Sequence, residues 1–142
     1  MNTSLALIVC FVFSVLAVWH FYMAARPQSG KTGAVPSVEG KPLLVPSRQA
    51  TVAVGVVLLL FSTLVAATAG ILSVGLPPVA LSWLSYALAA GLLARAVGEF
   101  KYVGFFKRVR GSKFATLDTL VYSPLCLLLS GGVAYIALQN AA

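Results

Sequence analysis

Charge is what this sequence has least of. Only 9% of its 142 residues are charged while 60% are hydrophobic, and the mean hydropathy is +0.97. A soluble domain cannot cover a water-facing surface from that composition. Acids number three, Glu39, Glu99 and Asp118, which leaves little for a paired-carboxylate hydrolase. A single histidine, His20, and two cysteines inside apolar runs, Cys10 and Cys126, make no C-x-x-C pair and no zinc ligand set. No metal and no cofactor is therefore expected. The chain holds no G-x-S-x-G elbow, no G-x-x-x-x-G-K-S/T loop and no G-x-G-x-x-G turn, so no enzyme class is indicated.

What is abundant is long apolar sequence. Runs approaching twenty apolar residues without a charge point to a lipid environment. The first covers about residues 5–25. It is not read as a signal peptide, because Met1 to Ser4 carry no positive side chain and the run exceeds an h-region. Trp19, His20, Phe21 and Tyr22 mark its far interface, and Arg26-Pro27 ends it. The second and third cover about 49–72 and 78–98, joined by the uncharged turn 73–77, which makes them antiparallel neighbours. Small residues four apart (Ser62, Ala66, Gly70; Ala90, Ala94, Gly98) read as packing faces. The fourth covers about 117–138. Ser123-Pro124 could start it, but a helix from there to Leu138 would span about 22 Å at 1.5 Å per residue, which is short for a bilayer. A start near Asp118 with a bend at Pro124 is the preferred reading.

The formal charge of +7 would suggest nucleic acid in a soluble chain. Its distribution says otherwise. Arg26, Lys31, Lys41 and Arg48 lie in the loop 26–48; Arg95, Lys101, Lys107, Arg108, Arg110 and Lys113 lie around the loop 99–117. The tails and the turn at 73–77 hold no Lys or Arg, so the positive-inside rule puts both long loops in the cytoplasm and both termini outside. The expected fold class is thus an all-α membrane protein. It is one domain over 1–142, a four-transmembrane-helix antiparallel bundle with a short basic interfacial segment before the last helix.

All the charges and the histidine fall at one membrane level, and four groups there are candidates for chemistry. Arg95 and Glu99, four apart, share a helix face as a ligand clamp or as an ion pair anchoring the helix end. His20 is a headgroup or proton ligand, or an interfacial anchor. In KYVGFFKRVR, Tyr102, Phe105, Phe106 and Val109 fall opposite Lys101, Lys107, Arg108 and Arg110, the pattern of a basic amphipathic helix touching anionic headgroups, although Gly104 and Gly111 count against a helix. Asp118, with Tyr122 four residues on, caps the last helix or joins a polar pocket with His20, Arg95 and Glu99.

Residues 97–107 (VGEFKYVGFFK), 114–119 (FATLDT) and 122–126 (YSPLC), together with Trp19-His20 and Gly40-Lys41-Pro42-Leu43, resemble a group of small bacterial four-helix membrane proteins known as a domain of unknown function. That resemblance implies a bacterial inner-membrane protein and carries no activity, so no residue role follows from it. The leading functional expectation is binding of an anionic lipid or amphiphile in a cytoplasm-facing polar pocket formed by His20, Arg95, Glu99, Asp118 and Tyr122. A small dimeric transporter and a non-catalytic membrane assembly subunit are the alternatives. The expected partners are anionic lipids and either a second copy of the chain or another membrane protein.

Overall fold

The computed structural model describes residues 3–26, 35–39 and 41–141. The expectations for Pro27, Lys31 and Gly40 lie outside the described residues. Among the described residues, four helices are long and apolar enough to cross a membrane: α1 (Thr3–Ala25), α2 (Arg48–Thr68), α3 (Pro78–Val97) and α4 (Lys113–Ala141). Between α1 and α2, Ser37–Val38 (β1) and Lys41–Pro42 (β2) form a minimal antiparallel ladder.

The helix ends follow local chemistry. Ser47 opens α2, its hydroxyl accepting the Ala50 N–H at 3.1 Å. Pro78 sits in the first turn of α3, where its missing N–H is no loss. α2 stops at Thr68, short of the predicted residue 72. Gly70 takes a φ of 70°, and the Ile71 N–H returns to the Ala66 carbonyl, which closes the helix. The fourth helix starts earlier than expected, at Lys113, because Ser112 caps it by accepting the Ala115 N–H at 3.0 Å. Its irregularity is a π turn at Asp118–Tyr122 immediately before Ser123-Pro124. There the Ser123 N–H bonds the Asp118 carbonyl, five residues back. Proline offers no N–H to the ladder and crowds the preceding turn, so the widened turn falls where the sequence cannot keep α-helical spacing.

Side-chain contacts fix the register. α1 runs antiparallel to α2: the Phe13 and Phe61 rings meet edge-on at 5.8 Å, Ser62 donates to the Cys10 carbonyl at 3.1 Å, and Phe21 lies over Gly55. α3 runs antiparallel to α4. Asn140 reaches Ser82 at 2.9 Å, Ser130 donates to the Ala89 carbonyl at 2.7 Å, and Arg95 meets Asp118. The buried pair Thr68 and Ser85 joins α2 to α3 at 2.8 Å. In lipid such interhelical hydrogen bonds contribute about 0.6 kcal/mol each, alongside close packing. A core of Ala6, Val9, Phe13, Val65, Leu88, Leu129, Val133 and Ile136 draws on all four helices.

Most apolar surface nonetheless faces outward. Only 22–33% of each apolar window is buried, and Phe11, Trp83 and Leu128 are 68%, 70% and 74% exposed. Helices apolar on every side are suited to a lipid surround. Of the small-residue faces, Ser62 does sit at a helix contact, whereas Ala90 and Ala94 point outward and Gly98 ends α3.

Candidate functional site

The candidate site is built around Asp118, which is 0% exposed in the π turn of α4. Its Oδ1 accepts from Arg95 Nη2 at 2.9 Å. Its Oδ2 accepts from the Gly104 N–H at 2.7 Å and from Lys107 Nζ at 3.1 Å. Lys107 also donates to the Gly104 carbonyl at 3.0 Å and to the Thr119 hydroxyl. An ammonium has three protons, and all three are engaged. The result is a closed ionic knot of two cations and one carboxylate, tying the end of α3, the loop 98–112 and the start of α4.

The loop reaches the knot by a tight backbone path. Gly98 and Gly104 take φ of 86° and 90° and lie back to back. A Cβ on Gly98 would stand 1.8 Å from the Val103 carbonyl oxygen, and one on Gly104 would stand 2.3 Å from that of Val97. No other residue type fits either position. Further bonds complete the loop: Phe105 N–H to the Ala96 carbonyl at 2.9 Å, Arg108 to Phe100 at 3.2 Å and Val109 to Lys101 at 2.9 Å. The segment 101–110 is therefore an ordered loop and not the amphipathic helix anticipated.

The anticipated residues distribute unevenly. Arg95 and Asp118 meet; Glu99 does not pair with Arg95. α3 ends at Val97, so the four-residue spacing no longer places the two on one face, and Glu99 Oε1 instead accepts the Tyr102 N–H at 2.8 Å. His20 bonds through Nδ1 to the Leu16 carbonyl of its own helix at 2.7 Å, which requires Nδ1 to carry the proton. Beside it, Trp19 and Tyr22 stack at 5.6 Å and the Arg26 guanidinium lies 4.4 Å over the Tyr22 ring. Among the described residues, no hydrogen bond or ion pair joins His20 or Glu99 to the knot. The five-residue pocket is thus replaced by the knot, with Tyr122 half-buried nearby against Phe114 at 6.0 Å. Asp118 does not cap the helix, a role Ser112 takes.

Lys107 is a further correction. It is not a headgroup contact but a buried member of the knot, its side chain 1% exposed. Lys101, Arg108 and Arg110 remain on the surface, and with them Phe100 and Phe106, 56% and 63% exposed, their ring centroids 6.4 Å apart. An open groove of about 260 Å³ beside Arg110 is floored by Ala115, Thr116 and Thr119. Sequence reasoning missed Gly104, Thr119 and Ser123. Two glycines six apart beside a run of charges were the available signal for a loop turned inward.

Two buried polar atoms have no hydrogen-bond partner among the described residues, Arg95 Nη1 and Ser123 Oγ. Left unmet, each costs roughly 1–3 kcal/mol. No group of three His, Cys, Asp or Glu able to hold a metal occurs among the described residues.

Four apolar helices among the described residues, the last two joined by a charged, ordered loop, are those of a multi-pass membrane protein. The chain belongs to the family described as Protein of unknown function (DUF3995), which matches residues 13–133, a span that includes the whole knot. The resemblance carried by residues 97–107 and 114–126 therefore holds at the level of that family. No curated protein and no solved structure matches the chain.

Proposed function

We propose that the protein is a membrane component that binds anionic lipid headgroups at the cytoplasmic interface through the loop 98–112. The observation that carries this reading is the exposed pair Phe100 and Phe106 set among the exposed cations Lys101, Arg108 and Arg110, on a loop pinned from behind. Aromatic rings of this kind enter the headgroup layer, and each nearby cation attracts an anionic leaflet with about 1 kcal/mol. The knot supplies rigidity: its carboxylate holds the loop backbone itself at Gly104, so the rings and cations are presented as a unit. In this reading both long loops are cytoplasmic, both termini are outside, the four helices form an antiparallel bundle, and the membrane is the bacterial inner membrane. The concentration of Lys and Arg on those loops supports that orientation.

The test is a single-Trp protein, Phe106→Trp in a Trp19→Phe, Trp83→Phe background, reconstituted with brominated lipids. Stronger quenching by brominated phosphatidylglycerol than by the phosphatidylcholine analogue at equal mole fraction is expected. Lys101→Gln, Arg108→Gln and Arg110→Gln together should abolish the preference. Equal quenching by both lipids, or a preference unchanged in the triple variant, defeats the reading.

A second reading has its own observation. Ala90, Gly91 and Ala94 leave a flat outward face on α3, with nothing within 4 Å of a Cβ placed at Gly91. Such a face suits close approach of another helix. It favours an assembly subunit, or a dimer of the kind a small transporter would need.

A further inference from the structure

We propose that Arg95 and Ser123 form a seat for one anionic group, a phosphate or carboxylate, distinct from the exposed cations of the loop. This rests on the lipid-interface reading and names where a single headgroup would be held.

The knot is complete without these atoms. Asp118 has both oxygens engaged, and Lys107 has spent every proton. Arg95 is different. It gives Asp118 one terminal nitrogen, while the other, Nη1, is buried with no partner among the described residues. The side chain as a whole is 37% exposed, although Nη1 itself is closed to solvent. Ser123 is 0% exposed, and its hydroxyl likewise lacks a partner among the described residues. Both residues touch Asp118, Arg95 through its side chain and Ser123 through its backbone N–H. The π turn brings the Ser123 backbone onto Asp118. In an unbroken α-helix the Ser123 N–H would bond Thr119, and the widened turn moves it back to Asp118.

Charge selects the ligand class. Arg95 and Lys107 against Asp118 leave one positive charge in excess, so an anion neutralises the cluster and a cation cannot. A guanidinium with unused N–H groups presents parallel donors to two oxygens of a phosphate or carboxylate. A serine hydroxyl can donate to one more. Tyr122 and Cys126, both within range of the Arg95 charge, border the same turn, and the surface beyond them is apolar. An amphiphile with an anionic head fits this juxtaposition; a free phosphate shares its chemistry.

Native mass spectrometry in mild detergent, with phosphatidylglycerol added at a few equivalents, tests the seat. Wild type is expected to keep one phosphatidylglycerol per chain under activation that strips phosphatidylcholine. Ser123→Ala and Arg95→Lys should each lower the retained fraction at least ten-fold. Arg95→Lys keeps a cation beside Asp118, and Ser123→Ala alone decides the matter if the lysine variant does not fold. The triple variant Lys101→Gln, Arg108→Gln, Arg110→Gln should retain the single lipid. Inorganic phosphate supplies the second arm. If it raises the unfolding midpoint of wild type but not of Ser123→Ala, the seat stands and a free anion occupies it. Retention by Ser123→Ala and Arg95→Lys at the wild-type level, with loss in the triple variant, overturns the seat and leaves the interface reading intact. No preference for anionic lipid in any protein overturns both.

Discussion

Replacing Asp118 by Asn is the perturbation whose consequence the structure specifies most fully. The side chain keeps its shape and one carbonyl oxygen, so packing is little changed and the effect is electrostatic. It leaves Lys107, 1% exposed, and the partly exposed Arg95 without a counter-charge. Removing one member of a buried ionic set costs about 3–5 kcal/mol, because the remaining charges stay desolvated. For a chain of this size that corresponds to a fall of about 10–20 °C in unfolding midpoint. The single removals on the other side are milder. Arg95→Ala leaves Asp118 with Lys107 and the Gly104 N–H, and Lys107→Met leaves it with Arg95 and the same N–H. Adding Lys107→Met to Asp118→Asn removes the stranded cation and should recover part of the loss, a coupling on the order of 1–3 kcal/mol. Cys10 and Cys126, free and half-buried in separate helices, make a thiol-reactive dye a direct reporter of unfolding in detergent. A midpoint for Asp118→Asn within 3 °C of wild type, or one higher than that of Lys107→Met, refutes the reasoning.

Two further outcomes are expected, one from the loop geometry and one from the proposed orientation. Gly104→Ala must move a Cβ out of the 2.3 Å approach to the Val97 carbonyl at a φ of 90°, so it should cost about 2–4 kcal/mol by the same dye assay, while Gly131→Ala, with open space around it, should cost almost nothing. In a protein freed of Cys10 and Cys126, Thr3→Cys should react with a membrane-impermeant maleimide in intact bacterial cells, and Arg108→Cys only after permeabilisation; the reverse pattern contradicts the proposed orientation.

The membrane class and the helices were legible because lipid imposes one requirement, apolar length, that can be read residue by residue. α1 and α3 end close to where Arg26 and Gly98 say they should. The site was less legible, and each failure has a physical cause. Arg95 and Glu99 looked paired because a four-residue spacing assumes continuous helix, and the turn at Gly98 breaks it. Lys107 looked like its neighbours Arg108 and Arg110, because burial of one lysine in a basic run depends on the path of the backbone and not on the run. Asp118 looked like a cap because the true cap, Ser112, lies a turn and a half upstream in sequence with weaker apolar patterning around it. What local pattern cannot show is a carboxylate whose partners sit 11, 14 and 23 residues away.

One buried carboxylate holds the loop in shape, and hydrogen–deuterium exchange of residues 99–110 in lipid nanodiscs is the measurement that bears on it. The amides of Tyr102, Gly104, Phe105, Arg108 and Val109 are all hydrogen-bonded, and the Gly104 amide donates to Asp118 itself. Strong protection of this peptide is expected in wild type and its loss in Asp118→Asn, with α1 and α2 unchanged. Rapid exchange of the loop in wild type, or protection that survives the substitution, would contradict it.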